Sequence, residues 1–199
     1  LGGNDPCIIM NDVDDVKSIA IQAASIRLNN GGQVCVSPKR MIVHKDIAEE
    51  FTQTILEYFK TVEIGYFSEI DRAFDELTEK YGRFPTLQEL MMESGNYIGS
   101  HNYIQPIISE KAAITVEKQI NHTIEQGAKL LYGGKRHGCF IEPTLLADIT
   151  RDMDVANDME IFGPVAAIMT FETVDEAISI ANQSSFGLSG GVFTKDWKT

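Results

Sequence analysis

The chain has 199 residues, 43% of them hydrophobic, and a mean hydropathy near zero, which is globular material sufficient for one large domain or two small ones. A net charge of −12 argues against nonspecific attraction to nucleic acid or to an anionic membrane, and no apolar run approaches the roughly 18 residues that a membrane span requires. The three cysteines (Cys7, Cys35, Cys139) are far apart with no C-x-x-C, and the four histidines lack ligand spacing, so no disulfide framework and no metal site is expected, and a reducing, cytoplasmic setting is.

The first apolar stretch, "PCIIM", is too short for a signal peptide and reads as a buried strand. A chain that starts at Leu-Gly-Gly is expected to be a piece of a longer polypeptide. From Asp12 onward, Val13, Val16, Ile19, Ala20, Ala23 and Ile26 recur at three and four, the spacing of one apolar helix face, with Asp12 or Asp14 as the cap. That helix is expected to stop at Asn29-Asn30-Gly31-Gly32, where positive φ is tolerated. "RMIVH" then reads as a strand and "IAEEFTQTILEYFK" as an amphipathic helix. Strand, helix, strand, helix is the rhythm of a parallel α/β sheet.

The rhythm resumes after residue 105. "ISEKAAITVEKQINHTIEQ" is expected to be a helix stopped by Gly127, "AKLLYGG" a strand ending in a turn, and "PVAAIMTF" a buried strand. "VDEAISIANQ" is a short helix begun by Asp175, and "GLSGGVFT" a last strand. Residues 66–105 differ in texture. The stripe Phe67, Ile70, Phe74, Leu77 and the stripe Leu87, Leu90, Met91 flank a Gly82-Arg83-Phe84-Pro85-Thr86 breaker, which reads as a small helical insert. The expected organisation is therefore 1–65 and 106–199 as two parts of one α/β unit, mainly parallel sheet flanked by helices, separated by a helical insert at 66–105.

Within this frame, Cys35 stands out. It is approached through Asn-Asn-Gly-Gly-Gln and left through a proline and two cations, Lys39 and Arg40. From residue type alone, a buried inert cysteine is a sufficient reading. Four stretches change that: "LGGNDPCIIMNDVDD" at 1–15, "NNGGQVC" at 29–35, "MEIFGPV" at 159–165 and "NQSSFGLSGGVFTKD" at 182–196. They resemble the aldehyde dehydrogenase superfamily, in which E-L-G-G, G-Q-x-C and E-x-F-G-P motifs follow in this order. The similarity covers roughly residues 1–65 and 106–199.

The resemblance implies NAD(P)-dependent oxidation of an aldehyde to a carboxylate. Cys35 would be the nucleophile that forms a thioester, with its backbone N–H holding the developing oxyanion. Glu160 would accept hydrogen bonds from the nicotinamide ribose, Phe162 would face the nicotinamide, and Gly2 and Gly3 would form the turn beside it. Taken alone, Glu160 could equally be a solvated loop acid, and Lys39 and Arg40 read as solvated strand-edge charge. By the same resemblance, the general base, the NAD- or NADP-binding domain and the oligomerisation segment would lie outside these 199 residues. The parent would be a homo-oligomer and the isolated chain would be inactive.

Two alternatives stay open. The chain could be a non-catalytic interaction module, or the insert could bind nucleic acid through a helix-turn-helix-like segment presenting Ser100, His101 and Asn102. Against the second stand seven acids and three bases in residues 66–105, which would repel phosphate.

Overall fold

The computed structural model describes residues 2–64, 76–83 and 103–196. A six-stranded sheet runs through the centre. Its strands are β1 (Pro6–Ile9), β2 (Arg40–His44), β5 (Lys129–Tyr132), β8 (Thr144–Ala147), β9 (Val165–Phe171) and β10 (Gly191–Phe193), in the order β10-β1-β2-β9-β8-β5. Every neighbouring pair is parallel except β5 with β8, which is antiparallel. Two short pairs lie apart from the sheet, β3 (Glu63–Ile64) with β4 (Tyr103–Ile104), and β6 (Arg136–His137) with β7 (Phe140–Ile141).

Helices cover both faces, and strand alternation decides which side chain goes to which. Cys7, Ile9, Met41, Val43, Ala166 and Ile168 point to the side held by α1 (Val16–Leu28) and α2 (Lys45–Lys60), against Ala20, Ala23, Phe51, Ile55 and Phe59. Ile8, Ile42, Ala167 and Met169 point to the side held by α3 (Glu110–Glu125) and α4 (Val174–Ala181), against Ala113, Val116, Ile120, Ala177 and Ile180. The expected α/β fold class, mainly parallel sheet flanked by helices, is the one observed.

The differences are local and have identifiable causes. Helix α1 is capped by Asp15, whose Oδ1 accepts the Ser18 N–H at 3.0 Å, and not by Asp12 or Asp14. Asp12 is used elsewhere: its Oδ2 accepts the Thr194 hydroxyl and the Lys195 and Asp196 amides beyond β10. The buried face of α1 is Ala20, Ala23, Ala24, Arg27 and Leu28, while Ile26 is left exposed. Helix α4 is capped by Thr173, with Asp175 in the first turn. Strand β8 carries no periodic signal, because "TLLA" is a four-residue apolar run without alternation. Most of the expected 66–105 insert, including both apolar stripes apart from Leu77 and the Ser100-His101-Asn102 segment, lies outside the described residues. Within it, 76–81 is helical and Leu77 is buried.

Candidate active site

Because the strands are parallel, the loops that enter β1, β2, β9 and β10 converge at one edge of the sheet. All the candidate site residues sit on these loops, at the amino-terminal ends of the strands. The usual rule for open α/β sheets places ligands at the carboxyl ends, so the motifs and fold analogy point to opposite edges.

Helix α1 ends where expected. Asn30, Gly31 and Gly32 all have positive φ (52°, 64° and 75°) and turn the chain back sharply. What fills the space opposite the two glycines is neighbouring backbone. A Cβ on Gly31 would lie 2.7 Å from the Gln105 carbonyl oxygen, and one on Gly32 would overlap the Gly163 carbonyl. Gln33 anchors the turn sideways: its amide donates to Asn30 O (2.9 Å) and Pro106 O (3.0 Å) and accepts from the Ile108 N–H (2.8 Å). Cys35 follows in a short turn and is exposed. Cys7 makes the contrast, enclosed on β1 with its thiol pushed up to about 12 by burial.

Lys39 and Arg40 are not solvated strand-edge charge. Both are buried, at 3% and 1% exposure. The Lys39 ammonium donates to Cys35 O at 2.7 Å and Val34 O at 3.2 Å, and stands 3.2 Å from Glu160 Oε1. Arg40 donates to Asn4 O, Ala156 O, Ile180 O and Ala181 O, tying β2 to the start of β1 and the end of α4. Desolvation lowers the pKa of each. For Lys39 the nearby charge of Arg27 adds to the lowering, and Glu160 opposes it.

Glu160 is therefore no solvated loop acid. Its Oε1 is enclosed and faces the Lys39 ammonium at 3.2 Å. Its Oε2 faces the opening of the chain: a Cβ on Gly2 would stand 2.5 Å from it. A Cβ on Gly3 would stand 3.2 Å from the Cys35 carbonyl oxygen. Gly2, Gly3, Cys35 and Glu160 are thus brought to one place from three loops. Phe162, two residues on from Glu160, is 41% exposed at the same edge. The loop entering β10 closes the group, with Phe186 against Gly2, Leu188 against Gly3, and Ser189 donating through its amide and hydroxyl to the Asp5 carboxylate.

Three members of this arrangement were not singled out from sequence: Arg27, Lys39 as a bridge, and the Asp5–Ser189 pair. Only Arg27 left a readable signal. It falls at i, i+3, i+4 with Ala20, Ala23 and Ala24, on the stripe that small residues already marked as closely packed.

A family model described as the aldehyde dehydrogenase family matches residues 1–199. The chain belongs to that family. It is 36% identical over 196 residues to a lactaldehyde dehydrogenase of Methanococcus aeolicus, covering 98% of the chain and 35% of that protein. It is 34% identical over 203 residues to succinate-semialdehyde dehydrogenase (NADP(+)) 2 of Schizosaccharomyces pombe, covering 100% of the chain and 35% of that protein. Among solved structures, an NADP-dependent glyceraldehyde-3-phosphate dehydrogenase from Bacillus halodurans C-125, complexed with NADP, superposes with a TM-score of 0.77 at 33% identity. That match covers 100% of this chain and 35% of the other. The chain spans about a third of the length of the relatives it matches.

Proposed function

We propose that this segment carries the nucleophile, Cys35, and the cofactor-side carboxylate, Glu160, of an NAD(P)-dependent oxidation of an aldehyde to a carboxylate. The observation that carries the reading is the Lys39 bridge. One ammonium holds the peptide of an exposed cysteine and faces a carboxylate from a second loop, so the two groups are held in a fixed relation. Nothing of that kind is needed around an inert thiol.

Two features of the chain fit the ribose of a nicotinamide cofactor. Glu160 Oε1 is held against the Lys39 ammonium at 3.2 Å, which fixes the carboxylate, and its other oxygen lies where only a glycine, Gly2, leaves room. Glu160 would accept from ribose hydroxyls, Gly2 and Gly3 would leave space for the ring, and Phe162 would pack against it. The nicotinamide, when bound, supplies the two-electron acceptor. The rest belongs to this chain's own residues. Cys35, as thiolate, forms a C–S bond to the aldehyde carbon while the carbonyl π pair moves to oxygen, where the Cys35 backbone N–H shares the charge. Once that carbon has lost its hydrogen with the bonding pair, Cys35 is left acylated. Water then cleaves the C–S bond, releasing carboxylate and a free thiol.

The finer organisation follows the same reading. Residues 66–105 are an insert between two parts of the catalytic unit, the complete protein is a homo-oligomer acting on a small aldehyde, and its free thiols suit a cytoplasmic setting.

p-Nitrophenyl acetate tests the nucleophile without a cofactor, because thiolate attack forms an acetyl thioester and releases p-nitrophenolate. We expect a burst approaching about one equivalent per chain, with acetyl mapped to Cys35 and the burst lost in Cys35→Ala. A burst that survives Cys35→Ala, or acetyl found on Cys139, would overturn the assignment.

A further inference from the structure

Arg27 is fully buried in the last turn of α1 and, among the described residues, faces no carboxylate within hydrogen-bond distance. Its five N–H groups find five acceptors, all neutral. Nε donates to Val165 O (2.7 Å). Nη1 donates to Gly32 O (3.0 Å) and Ser37 Oγ (2.5 Å). Nη2 donates to Ile161 O (2.8 Å) and Gly163 O. A guanidinium carries five donors in a rigid fork, so this one is fully used and cannot shift toward one acceptor without leaving another.

The acceptors divide by loop. Gly32 and Ser37 bracket Cys35, whereas Ile161, Gly163 and Val165 follow directly on Glu160. The two backbones also touch, since Gly32 has no room for a Cβ against Gly163. Burying an arginine among carbonyls is a costly way to fill space, and an apolar side chain of similar volume would pack at lower cost. What an apolar residue cannot do is hold facing carbonyl oxygens from two loops at one spacing. Those oxygens would lose their donors and repel each other.

We propose that Arg27 is a positioning residue for the chemistry at Cys35, fixing the nucleophile turn against the loop that carries Glu160. The proposal rests on the reading of Cys35 as nucleophile. Arg27 touches neither substrate nor cofactor; it acts through Gly32 and Ser37 on one side and through Ile161, Gly163 and Val165 on the other.

The test uses the 199-residue chain and the rate of Cys35 acetylation by p-nitrophenyl acetate, with iodoacetamide labelling of Cys139 as an internal reference. Arg27→Ala is expected to slow acetylation by about tenfold to a hundredfold, the cost of a misplacement on the order of 1 Å, and to leave Cys139 labelling unchanged. Methylguanidinium fits the space left behind and is expected to restore most of the rate in Arg27→Ala but not to raise it in the unsubstituted chain. Ammonium at equal ionic strength is expected to restore nothing. A folded Arg27→Ala chain that acetylates at the unsubstituted rate, or that methylguanidinium does not rescue, overturns the proposal. Should Arg27→Ala fail to fold, Ser37→Ala carries the test. It removes one acceptor on the nucleophile side, several-fold slower acetylation is expected, and an unchanged rate overturns the proposal. Failure of the unsubstituted chain to acetylate at Cys35 would instead sink the reading of the nucleophile itself.

Discussion

Gly32 and Gly138 share a left-handed backbone, with φ of 75° and 62°, but not a neighbourhood. Around Gly138 a Cβ would meet nothing within 4 Å, whereas at Gly32 it would overlap the Gly163 carbonyl. Gly138→Ala should therefore cost only the backbone penalty, about 1–2 kcal/mol. Gly32→Ala must also part the two loops, so we expect it to cost clearly more and to slow Cys35 acetylation, which Gly138→Ala leaves alone. Urea titration and the acetylation rate read the two effects separately; equal costs for the two variants would contradict the close loop contact. At this scale the sequence motifs picked out Gly2, Gly3, Cys35 and Glu160, which the fold brings together. Lys39 and Arg40 were not. A charged side chain after a proline is usually solvated, and only the three-dimensional approach of Asn4, Val34, Cys35 and Glu160 supplies the partners that allow burial.

Among the elements, the strand–helix alternation was readable wherever periodicity ran long, as in α2, α3 and β9. It failed where several residues could serve one role. Three aspartates, Asp12, Asp14 and Asp15, precede α1, and any of them can cap a helix. Asp15 does so because its backbone is extended and its Oδ1 meets the Ser18 N–H. Asp12 is drawn off to the turn after β10, and Asp14 is exposed beside Lys195. Asp15→Ala should therefore destabilise the chain by about 1 kcal/mol, and Asp14→Ala by less than about 0.5 kcal/mol, as for exposed ion pairs. Chemical denaturation midpoints at constant m-value distinguish them; equal effects would remove Asp15 as the cap. The buried face of α1 was read in part: Ala20 and Ala23 are enclosed with Val16 and Ile19 packed against the same core, but Ile26 is exposed and Ala24, Arg27 and Leu28 are enclosed in addition. Apolar residues occur nearly all round the helix, so the pattern did not fix the edge of the buried stripe, which turns toward Ala24, Arg27 and Leu28.

For the molecule as a whole, a charge of −12 surrounds an edge built on three buried cations, Arg27, Lys39 and Arg40. The acids that hold the site loops in place do so as charged acceptors. The backbone N–H of Ser185 and the Ser184 hydroxyl keep the Asp158 carboxyl below the usual carboxylate range, and the His122 ring does the same for Asp154. A carboxylate whose folded pKa is depressed contributes stability that is whole above its unfolded value, about 3.8, and is lost as pH falls through the folded one. Thermal stability should accordingly be insensitive to these two groups between about pH 5 and 7 and should decline below about pH 4. Asp158→Asn should flatten that acid limb, and an unaltered slope in the variant would show that Asp158 does not hold the 184–185 turn through its charge.

The most direct trial of the whole account is a competition among the three thiols of the folded chain. Treated with limiting p-nitrophenyl acetate and then mapped by peptide mass, Cys35 should carry nearly all of the acetyl, Cys139 little and the enclosed Cys7 none. Acetyl spread between Cys35 and Cys139 in proportion to exposure alone would show an ordinary surface thiol, and the proposed nucleophile would be contradicted.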